Sequence, residues 1–366
     1  MGLRTSLYPI YANYPNIKIV NFNGWDMPVN YAFGILKEHK MVRERAGLFD
    51  ASHMGEFLIE GEGTELFVDY LLTNSIAGKP NNKCIYSPMC NHEGGIIDDL
   101  LVYKYSANKV MLVVNAGNIK NDFTWISERK KEFSNSNKIN IKNISSQTAL
   151  LALQGPLSEK ILSKYFNQTQ LELRPFSYAG IEFPGIGNCV VSRTGYTGED
   201  GFEIFLSNSQ APKFWESLLK DNRIEDLAPC GLGARNTLRL EAALSLYGAE
   251  LDNKTTPLES GLARYVKMDK SDFIGKKAIS SNPVKKELKA CVMLDRGAPK
   301  HGDLILYKEK EIGIVTSGSI SPTLNEFIAL IIVEKCGLKP GDQIIINTGA
   351  KMKNARIVEK PFYRRR

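Results

Sequence analysis

Residues 94–114 read GGIIDDLLVYKYSANKVMLVV. Ile96–Tyr103 and Val110–Val114 are apolar, β-prone runs, and the polar stretch Ser106–Lys109 lies between them. This order is typical of a β-hairpin, because strand-forming residues flank a short polar connection. We therefore predict two antiparallel strands here.

Two adjacent acids, Asp98 and Asp99, interrupt the first of these strands. Side chains alternate across a strand, so Asp99 shares a face with Tyr103 and Asp98 lies on the other face. We expect one acid at the surface and the other in a pocket, where a carboxylate can orient a substrate or accept a proton. The alternative is that the Gly-Gly and Asp-Asp pairs mark turns without a catalytic role.

Helical and strand-like segments alternate on both sides of the hairpin. The predicted helices are Gly34–Ala46, one after Gly63, Ile119–Phe133, one after Pro156, Ala211–Leu219 and Leu232–Leu244. The other predicted strands of this part lie at Phe57–Ile59, Ala149–Gln154, Cys189–Ser192 and Gly201–Leu206. The chain before Gly34 is predicted to be a loop.

A lysine-rich stretch between Lys270 and Lys289 separates this part from a series of short strands. The predicted strands are Lys289–Leu294, Leu304–Tyr307, Ile312–Thr316, Ile328–Val333, Gln343–Ile346 and Lys353–Val358. Short, evenly spaced strands predict a small β-barrel or sandwich. We therefore predict an α+β fold with a β-rich C-terminal domain.

The composition excludes several classes of protein. The 366 residues are 43% hydrophobic and 24% charged, as in an ordinary globular protein, and we see neither a membrane span nor a secretory signal. A net charge of +7 without a basic, aromatic-rich stripe argues against nucleic acid as a partner. The six cysteines form no C-x-x-C pair, so we expect reduced thiols and a cytoplasmic location.

Several catalytic motifs are also missing from the sequence. The four histidines form no zinc-binding spacing, so no metal is expected. A P-loop and a G-x-S-x-G nucleophile elbow are absent. Ser52 and His53 are adjacent, which is not the geometry of a catalytic triad, and we expect His53 to be a hydrogen-bonded structural residue.

A second candidate segment is the glycine-punctuated loop and strand from Ser192 to Ile204. In this strand Phe202 and Ile204 face one way and Glu203 the other. A buried Glu203 needs a donor, and two parallel N–H groups of a ligand suit a carboxylate. The alternative is that Glu203 lies on a solvated face of the sheet.

A third candidate segment is Cys230–Glu241, which contains two glycines before a predicted helix. It fails as a dinucleotide fingerprint, because Asn236 stands where the third glycine is needed, and we see no clear strand before it. Arg235 and Arg239 lie four residues apart and share a helix face. They indicate either an anionic ligand or structural salt bridges.

Taken together, these segments resemble the aminomethyltransferases, or T proteins, of the glycine cleavage system. The resemblance runs from Arg4 to Tyr363. The matching segments are Gly24–Pro28, Gly47–Glu56, Gly94–Tyr103, Leu153–Pro156, Arg193–Glu203, Gly231–Arg235, Thr316–Gly318 and Ser321–Leu324.

The resemblance implies a fold and a reaction. The fold is a three-domain cloverleaf around a central folate pocket, with a folate-binding region of two intertwined α+β subdomains over 1–270 and a C-terminal β-barrel over 285–366. The implied reaction transfers the methylene of an aminomethyl group from dihydrolipoyl H protein to tetrahydrofolate. The implied products are 5,10-methylenetetrahydrofolate, ammonia and dihydrolipoyl H protein.

The resemblance also assigns roles to single residues. Asp99 matches the catalytic aspartate of the family, Glu203 the glutamate that holds the pterin ring, and Arg235 an arginine that completes substrate binding. The other matching pocket positions are Tyr86, Tyr103, Asn115, Tyr196 and Met54. The sequence departs from the family pattern at Asn23, Asn236 and Ala243.

Two alternatives remain open from the sequence. One is a related folate-dependent demethylase that acts on a small amine or sulfonium compound. The other is a folate-binding accessory factor without enzymatic activity. The Asp-Asp pair and the Gly195–Gly201 run favour the aminomethyltransferase.

Overall fold

The computed structural model describes residues 2–134, 136–165 and 172–365. The chain divides into two compact units, one formed by Met1–Ser87 and Asp99–Arg235 and the other by Pro88–Asp98 and Asn236–Arg366. The domains 1–270 and 285–366 and their arrangement around a pocket stay predictions.

The described residues form helices and strands in the following chain order. The α-helices are α1 (Gly34–Glu44), α2 (Thr64–Leu71), α3 (Ile119–Glu132), α4 (Ser158–Leu162), α5 (Ala211–Lys220), α6 (Leu232–Glu241) and α7 (Lys276–Ser281). Short 3₁₀ helices lie at Tyr8–Asn13, Ser136–Lys138, Ser145–Gln147 and Ala263–Tyr265. The strands are β1 (Lys18–Phe22), β2 (Trp25–Asn30), β3 (Gly47–Asp50), β4 (Gly55–Glu60), β5 (Lys83–Cys90), β6 (Ile96–Ser106), β7 (Lys109–Val114), β8 (Asn140–Asn143), β9 (Thr148–Gln154), β10 (Tyr178–Phe183), β11 (Gly187–Ser192), β12 (Gly201–Ser207), β13 (Ala228–Cys230), β14 (Lys286–Met293), β15 (Leu304–Tyr307), β16 (Lys310–Ser321), β17 (Glu326–Glu334), β18 (Gln343–Asn347) and β19 (Met352–Val358).

The opening of the chain contains a hairpin, so the prediction of a loop before Gly34 is wrong. Phe22 of β1 pairs with Trp25 of β2 across the two-residue turn Asn23-Gly24. Both turn residues have positive φ, 49° and 88°. Asn-Gly is the preferred pair for such a turn, because both residues tolerate the left-handed conformation. The Asn23-Gly24 dipeptide by itself therefore indicates a hairpin at this position.

The first unit contains a six-stranded sheet in the order β10-β11-β12-β9-β3-β13. Helix α5 packs on its core cluster through Ala211, Phe214, Trp215 and Leu218, which recur at helical spacing and are at most 1% exposed. The Trp215 indole N–H donates to the Tyr14 hydroxyl at 2.7 Å. This pairing satisfies the polar edge of a buried ring.

Most residues of a five-stranded sheet in the order β5-β6-β7-β4-β8 also belong to the first unit. It includes the predicted hairpin, which is β6 and β7, and this prediction is confirmed. Tyr103 of this sheet packs edge-on against Phe205 of the six-stranded sheet, with ring centroids 5.1 Å apart. Both rings belong to one apolar cluster, so the two sheets face each other there.

The second unit contains a closed barrel in the order β14-β17-β16-β15-β18-β19. The predicted barrel and the α+β class are therefore confirmed, and the sandwich alternative is wrong. Alternate residues of the strands, such as Ile331, Ile344 and Ile346, fill its interior and are at most 2% exposed. Closure leaves no strand edge unpaired, which protects a small all-β domain from aggregation.

A buried ion pair lies beside the barrel within the second unit. The Arg239 guanidinium donates to Glu250 Oε2 at 2.9 Å and to Ser317 Oγ at 2.8 Å. Thr316 donates its hydroxyl hydrogen to Glu250 Oε1 at 2.7 Å. Arg239 and Glu250 are 2% and 1% exposed, so the structural reading of Arg239 is confirmed.

Helix α6 ends at Glu241, three residues before the predicted end at Leu244. Ala243 has a φ of 53°, and the Leu244 N–H donates to the Arg239 carbonyl at 2.9 Å. A left-handed residue followed by this hydrogen bond terminates a helix. Alanine tolerates this conformation poorly, so nothing in the sequence indicates that the helix ends before Ala243.

Candidate active site

The Asp99 carboxylate is held by two uncharged donors. The Tyr86 hydroxyl donates to Oδ2 at 2.9 Å, and the Asn115 side-chain amide donates to Oδ1 at 3.0 Å. The same amide donates to the Asp99 backbone carbonyl at 3.1 Å. These contacts orient the carboxylate without neutralising its charge, and they bring together three of the predicted site residues.

One face of the five-stranded sheet carries this group. Alternation along β6 places Asp99 on the face of Tyr103, which packs in an apolar cluster with Met54 and Val113. Val113 pairs directly with Glu56 across β7 and β4, so Glu56 shares this face. Met54, a predicted pocket residue, therefore lies on the Asp99 side of the sheet.

The neighbouring acid Asp98 is fully buried on the opposite face. The expectation that one acid of the pair lies at the surface is therefore wrong. Ile96, Leu100 and Val102 on this opposite face are also at most 2% exposed. Strand β6 lies inside the sheet and is covered on both faces, which alternation alone does not reveal.

Glu56 is a buried carboxyl on the site face that sequence reasoning did not select. It is fully buried, and neither oxygen has a hydrogen-bond partner among the described residues. Burial raises the pKa of Glu56 well above 4.5, because the charged form is poorly solvated. Glu56 is therefore a neutral acid beneath the site at moderately acidic pH.

We predict that Glu56→Gln flattens the pH dependence of stability. The pKa of Glu56 is higher in the folded chain than in the unfolded one, so its stabilising contribution is complete below pH 4.5 and is lost as the pH rises towards the folded-state value. Within that window the wild type should lose up to about 1.4 kcal/mol per pH unit relative to the variant. Urea unfolding of both proteins from pH 4.5 upwards measures this difference. If the free energy of unfolding changed with pH in the same way in both proteins, the raised pKa of Glu56 would be contradicted.

Glu203 is the buried end of a chain of hydroxyl hydrogen bonds. It is 7% exposed, which excludes the solvated-face alternative. Thr194 donates to Glu203 Oε2 at 2.6 Å, the Thr194 and Ser192 hydroxyls are 2.7 Å apart, and the Ser192 and Tyr103 hydroxyls are 3.0 Å apart. Burial raises the pKa of Glu203, whereas the Thr194 hydrogen bond and the Arg235 charge oppose the shift.

Arg235 lies close enough to Glu203 for its positive charge to oppose the rise in the Glu203 pKa that burial causes. The guanidinium stacks over the Tyr196 ring, with its central carbon 4.8 Å from the ring centroid. The loop that carries Tyr196 is fixed by Arg43, which donates to the Thr197 carbonyl at 2.8 Å and pairs with Glu199 at 2.9 Å. Arg235 and Tyr196 therefore form a second group around Glu203.

The start of α6, which carries Arg235, is held by Glu38. This buried carboxylate accepts the Gly231 N–H at 2.9 Å and the Tyr31 N–H at 2.6 Å. A side chain at Gly231 would place its Cβ 2.3 Å from the Val29 carbonyl oxygen, so glycine is required by this close approach. The short strand β13 precedes the turn, which corrects the expectation of no strand there.

Neither a metal-binding cluster nor a membrane-spanning helix is found among the residues that the structure describes. No group of three or more His, Cys, Asp or Glu side chains among them is arranged to hold a metal ion. None of the described helices is long and apolar enough to span a membrane.

Two family models match nearly the whole chain. The model described as the GCVT N-terminal domain matches residues 12–270. The model described as the glycine cleavage T-protein C-terminal barrel domain matches residues 286–364. The chain belongs to the aminomethyltransferase family, the T proteins of the glycine cleavage system.

Individual relatives agree with this membership. The chain is 44% identical to an aminomethyltransferase of Caldanaerobacter subterraneus, covering 99% of this chain and 96% of that one. It is also 44% identical to an aminomethyltransferase of Thermotoga petrophila, covering 97% of each chain. The crystal structure of the glycine cleavage system aminomethyltransferase T from Bartonella henselae superposes with a TM-score of 0.90 at 31% identity, covering 100% of this chain and 99% of that one.

Sequence reasoning did not predict the surroundings of several buried side chains in and near the candidate site. Thr194 donates to Glu203, Ser192 forms a hydrogen bond with Thr194, and Glu38 holds the start of the helix that carries Arg235. His53 is a further buried side chain, with 2% exposure. Contrary to the expectation of a hydrogen-bonded histidine, His53 Nδ1 has no partner among the described residues. Ser192 and Thr194 lie inside the quoted loop, whereas nothing in the sequence indicated the partners of Glu38 or His53.

Proposed function

We propose that the chain transfers the methylene carbon of an aminomethyl group from the dihydrolipoyl arm of H protein to tetrahydrofolate. The observation that carries the proposal is the half-buried Asp99 carboxylate, fixed by Tyr86 and Asn115 in a family member matched along its full length. The products are 5,10-methylenetetrahydrofolate, ammonia and the dihydrolipoyl thiol. Both N–H hydrogens of folate are lost, and one ends on sulfur and the other on the departing nitrogen.

Asp99 is proposed as the catalytic residue. The folate N-5 attacks the aminomethyl carbon as the C–S bond breaks, or attacks an iminium formed by loss of that sulfur, and N-10 then closes the ring as ammonia leaves. Positive charge develops on the transferred carbon and its nitrogens, and an oriented carboxylate stabilises that charge. No protein nucleophile is needed, so positioning of the two substrates supplies much of the rate.

Glu203 is proposed to hold the pterin ring. The 2-amino and N-3 hydrogens of the pterin are parallel donors, which suit one carboxylate. Arg235, Tyr196, Asn115, Tyr86 and Met54 are proposed as further folate-binding residues. Tyr103 is fully buried, so we assign it to positioning Glu203 through Ser192 and Thr194.

We predict that Glu203→Gln weakens tetrahydrofolate binding by about 10- to 100-fold, because a hydrogen bond to a charged group contributes about 1.5–3 kcal/mol. A fluorescence or calorimetric titration measures the affinity. Glu182→Gln is the matched control, since Glu182 is exposed on β10 of the same sheet. Equal affinities for all three proteins would remove Glu203 from the folate site.

The test of the proposed function is a reconstituted glycine cleavage mixture in which this protein is the only variable. It contains lipoylated H protein, the partner enzymes and tetrahydrofolate, with methylenetetrahydrofolate as the readout. Product formed only when this protein is present supports the proposal. Folate binding without product would favour the demethylase, which is then assayed with small methylated amines and sulfonium compounds.

A cytoplasmic location is also proposed. The cysteines of the described residues are all free, which suits a reducing compartment. Fractionation of cells that carry a tagged chain would test the location.

A further inference from the structure

Gln154 is the last residue of β9 and lies under the loop formed by residues 194–201. Its side chain belongs to a residue that is 1% exposed, whereas Gly195 and Gly198 of the loop are exposed. The loop therefore covers Gln154. This glutamine lies in the 153–156 segment of the family match, outside the set of residues proposed to bind folate.

The Gln154 amide forms hydrogen bonds with two residues of this loop. Its NH₂ group donates to the Thr194 carbonyl at 3.1 Å, and its oxygen accepts the Thr197 hydroxyl hydrogen at 2.9 Å. The Thr197 oxygen in turn accepts the Glu199 N–H at 3.2 Å. An amide supplies a donor and an acceptor from one planar group, whereas a carboxylate or an ammonium supplies only one kind. The amide is thus the centre of the hydrogen bonds on the inner side of the loop.

Two glycines of the loop leave space for this amide. A Cβ at Gly195 would lie 1.9 Å from Gln154 Oε1, and a Cβ at Gly201 would lie 2.5 Å from Gln154 Nε2. A side chain at either position must therefore displace the amide. The two glycines allow the loop backbone to approach Gln154 closely.

The base of the loop is closed by contacts that do not involve the Gln154 side chain. Arg193 Nε donates to Asp200 Oδ1 at 2.9 Å, and the Gly155 N–H donates to the Asp200 carbonyl at 2.7 Å. A chain without the Gln154 amide therefore keeps the base of the loop and loses the inner contacts of residues 194–197.

The part of the loop that Gln154 holds carries two contacts of the candidate site. Thr194 donates to Glu203 Oε2 at 2.6 Å. The Tyr196 ring lies under the Arg235 guanidinium, with 4.8 Å between the ring centroid and the central carbon. A shift of the backbone between 194 and 197 moves both contacts, because a side chain follows its own backbone.

We propose that Gln154 is a positioning residue of the folate site, which holds Thr194 and Tyr196 in their binding positions. Through these two residues it orients Glu203 and Arg235. This inference rests on the proposed function, because it concerns the folate-binding group of the same site. A binding group must be held within about 0.5 Å of its productive position, so this support determines affinity.

Gln154→Met tests the amide, because methionine has a similar size without the amide donor or acceptor. Its dissociation constant for 5-formyltetrahydrofolate, an oxidation-resistant analogue, should rise about tenfold, which corresponds to about 1.4 kcal/mol. Its turnover number at saturating tetrahydrofolate should stay close to that of the wild type, since the Asp99 group lies on the other sheet. Gln147→Met is the control, because Gln147 is exposed just before β9, and both values should be unchanged.

The split between affinity and turnover distinguishes positioning from a purely structural role. Loss of folded protein lowers turnover and the number of binding sites, but it leaves the affinity of the remaining folded molecules unchanged. Wild-type affinity in Gln154→Met would overturn the inference, whether or not turnover falls. A turnover number at saturating folate that falls as much as the affinity would also overturn it.

Gly195→Ala displaces the same amide without altering Gln154, and it decides the case in which Gln154→Met does not fold. Its dissociation constant for 5-formyltetrahydrofolate should also rise, because the new Cβ takes the place of Gln154 Oε1. Gly180→Ala is the matched control, since a Cβ at Gly180 on β10 meets no atom of the described residues within 4 Å. Wild-type affinity in Gly195→Ala would overturn the inference. Failure of the wild type to bind any reduced folate would instead overturn the proposed function.

Discussion

Replacing Asp99 with asparagine is expected to lower the turnover number by at least about 100-fold, because an electrostatic contact to a charged transition state contributes about that much. The variant should keep the local geometry. The asparagine oxygen can accept from the Asn115 amide, and its NH₂ group can donate to the Tyr86 hydroxyl, which then acts as the acceptor. Shape and hydrogen bonds are thus retained while the negative charge is lost.

The affinity for tetrahydrofolate should change only a few-fold in Asp99→Asn, since Glu203 is proposed to hold the ring. Turnover in the reconstituted system and folate titration together distinguish catalysis from binding. Glu93→Gln is a suitable control, because Glu93 is an exposed acid a few residues before Asp99. Near-normal turnover of Asp99→Asn would exclude the charge of Asp99 from the mechanism.

Arg239→Met is expected to lower the free energy of unfolding by about 3–5 kcal/mol, the usual cost of removing one partner of a buried ion pair. Methionine fills most of the volume, so the loss arises from Glu250, whose side chain has 0% exposure and which loses its cation at 2.9 Å. The Thr316 and Leu246 donors remain on Glu250 but do not neutralise it. Urea or thermal unfolding measures the change.

Two further variants define the origin of that loss. The double variant Arg239→Met/Glu250→Met should recover most of the stability, because no charge is then left buried. Arg223→Met should cost less than about 1 kcal/mol, since the Arg223 side chain is 77% exposed in its pair with Asp226. If the double variant were as unstable as Arg239→Met, shape and not charge would explain the effect.

Local periodicity predicted the elements whose patterns are strong. Helix α3 begins at the predicted residue and ends one residue early, and the barrel strands lie where the short apolar runs were found. The Asn23-Gly24 dipeptide is typical of a hairpin turn, and the prediction of a loop before Gly34 overlooks it. Helix α6 ends at an alanine in the left-handed conformation, which no propensity predicts.

The candidate site was predictable to a different extent. Spacing alone placed Asp99 and Tyr103 on one face and suggested a ligand for Glu203, whereas the roles came from the family resemblance. The partners of buried groups depend on contacts between distant segments. Glu38 and Gly231 are far apart in the chain, and the low pKa of His53 arises from burial in the fold and, to a smaller extent, from the Arg235 charge.

The hydroxyl chain from Tyr103 to Glu203 connects the two facing sheets of the first unit. Tyr103 also lies on the same strand as Asp99, four residues further on, a span of about 13 Å in an extended chain. Strand β6 and this chain together fix the separation of the two carboxylates, so neither can slide without breaking a hydrogen bond. If Glu203 holds the pterin ring and Asp99 acts on the reacting nitrogen, as proposed above, a molecule that binds Glu203 but is too short to reach Asp99 is bound without reacting.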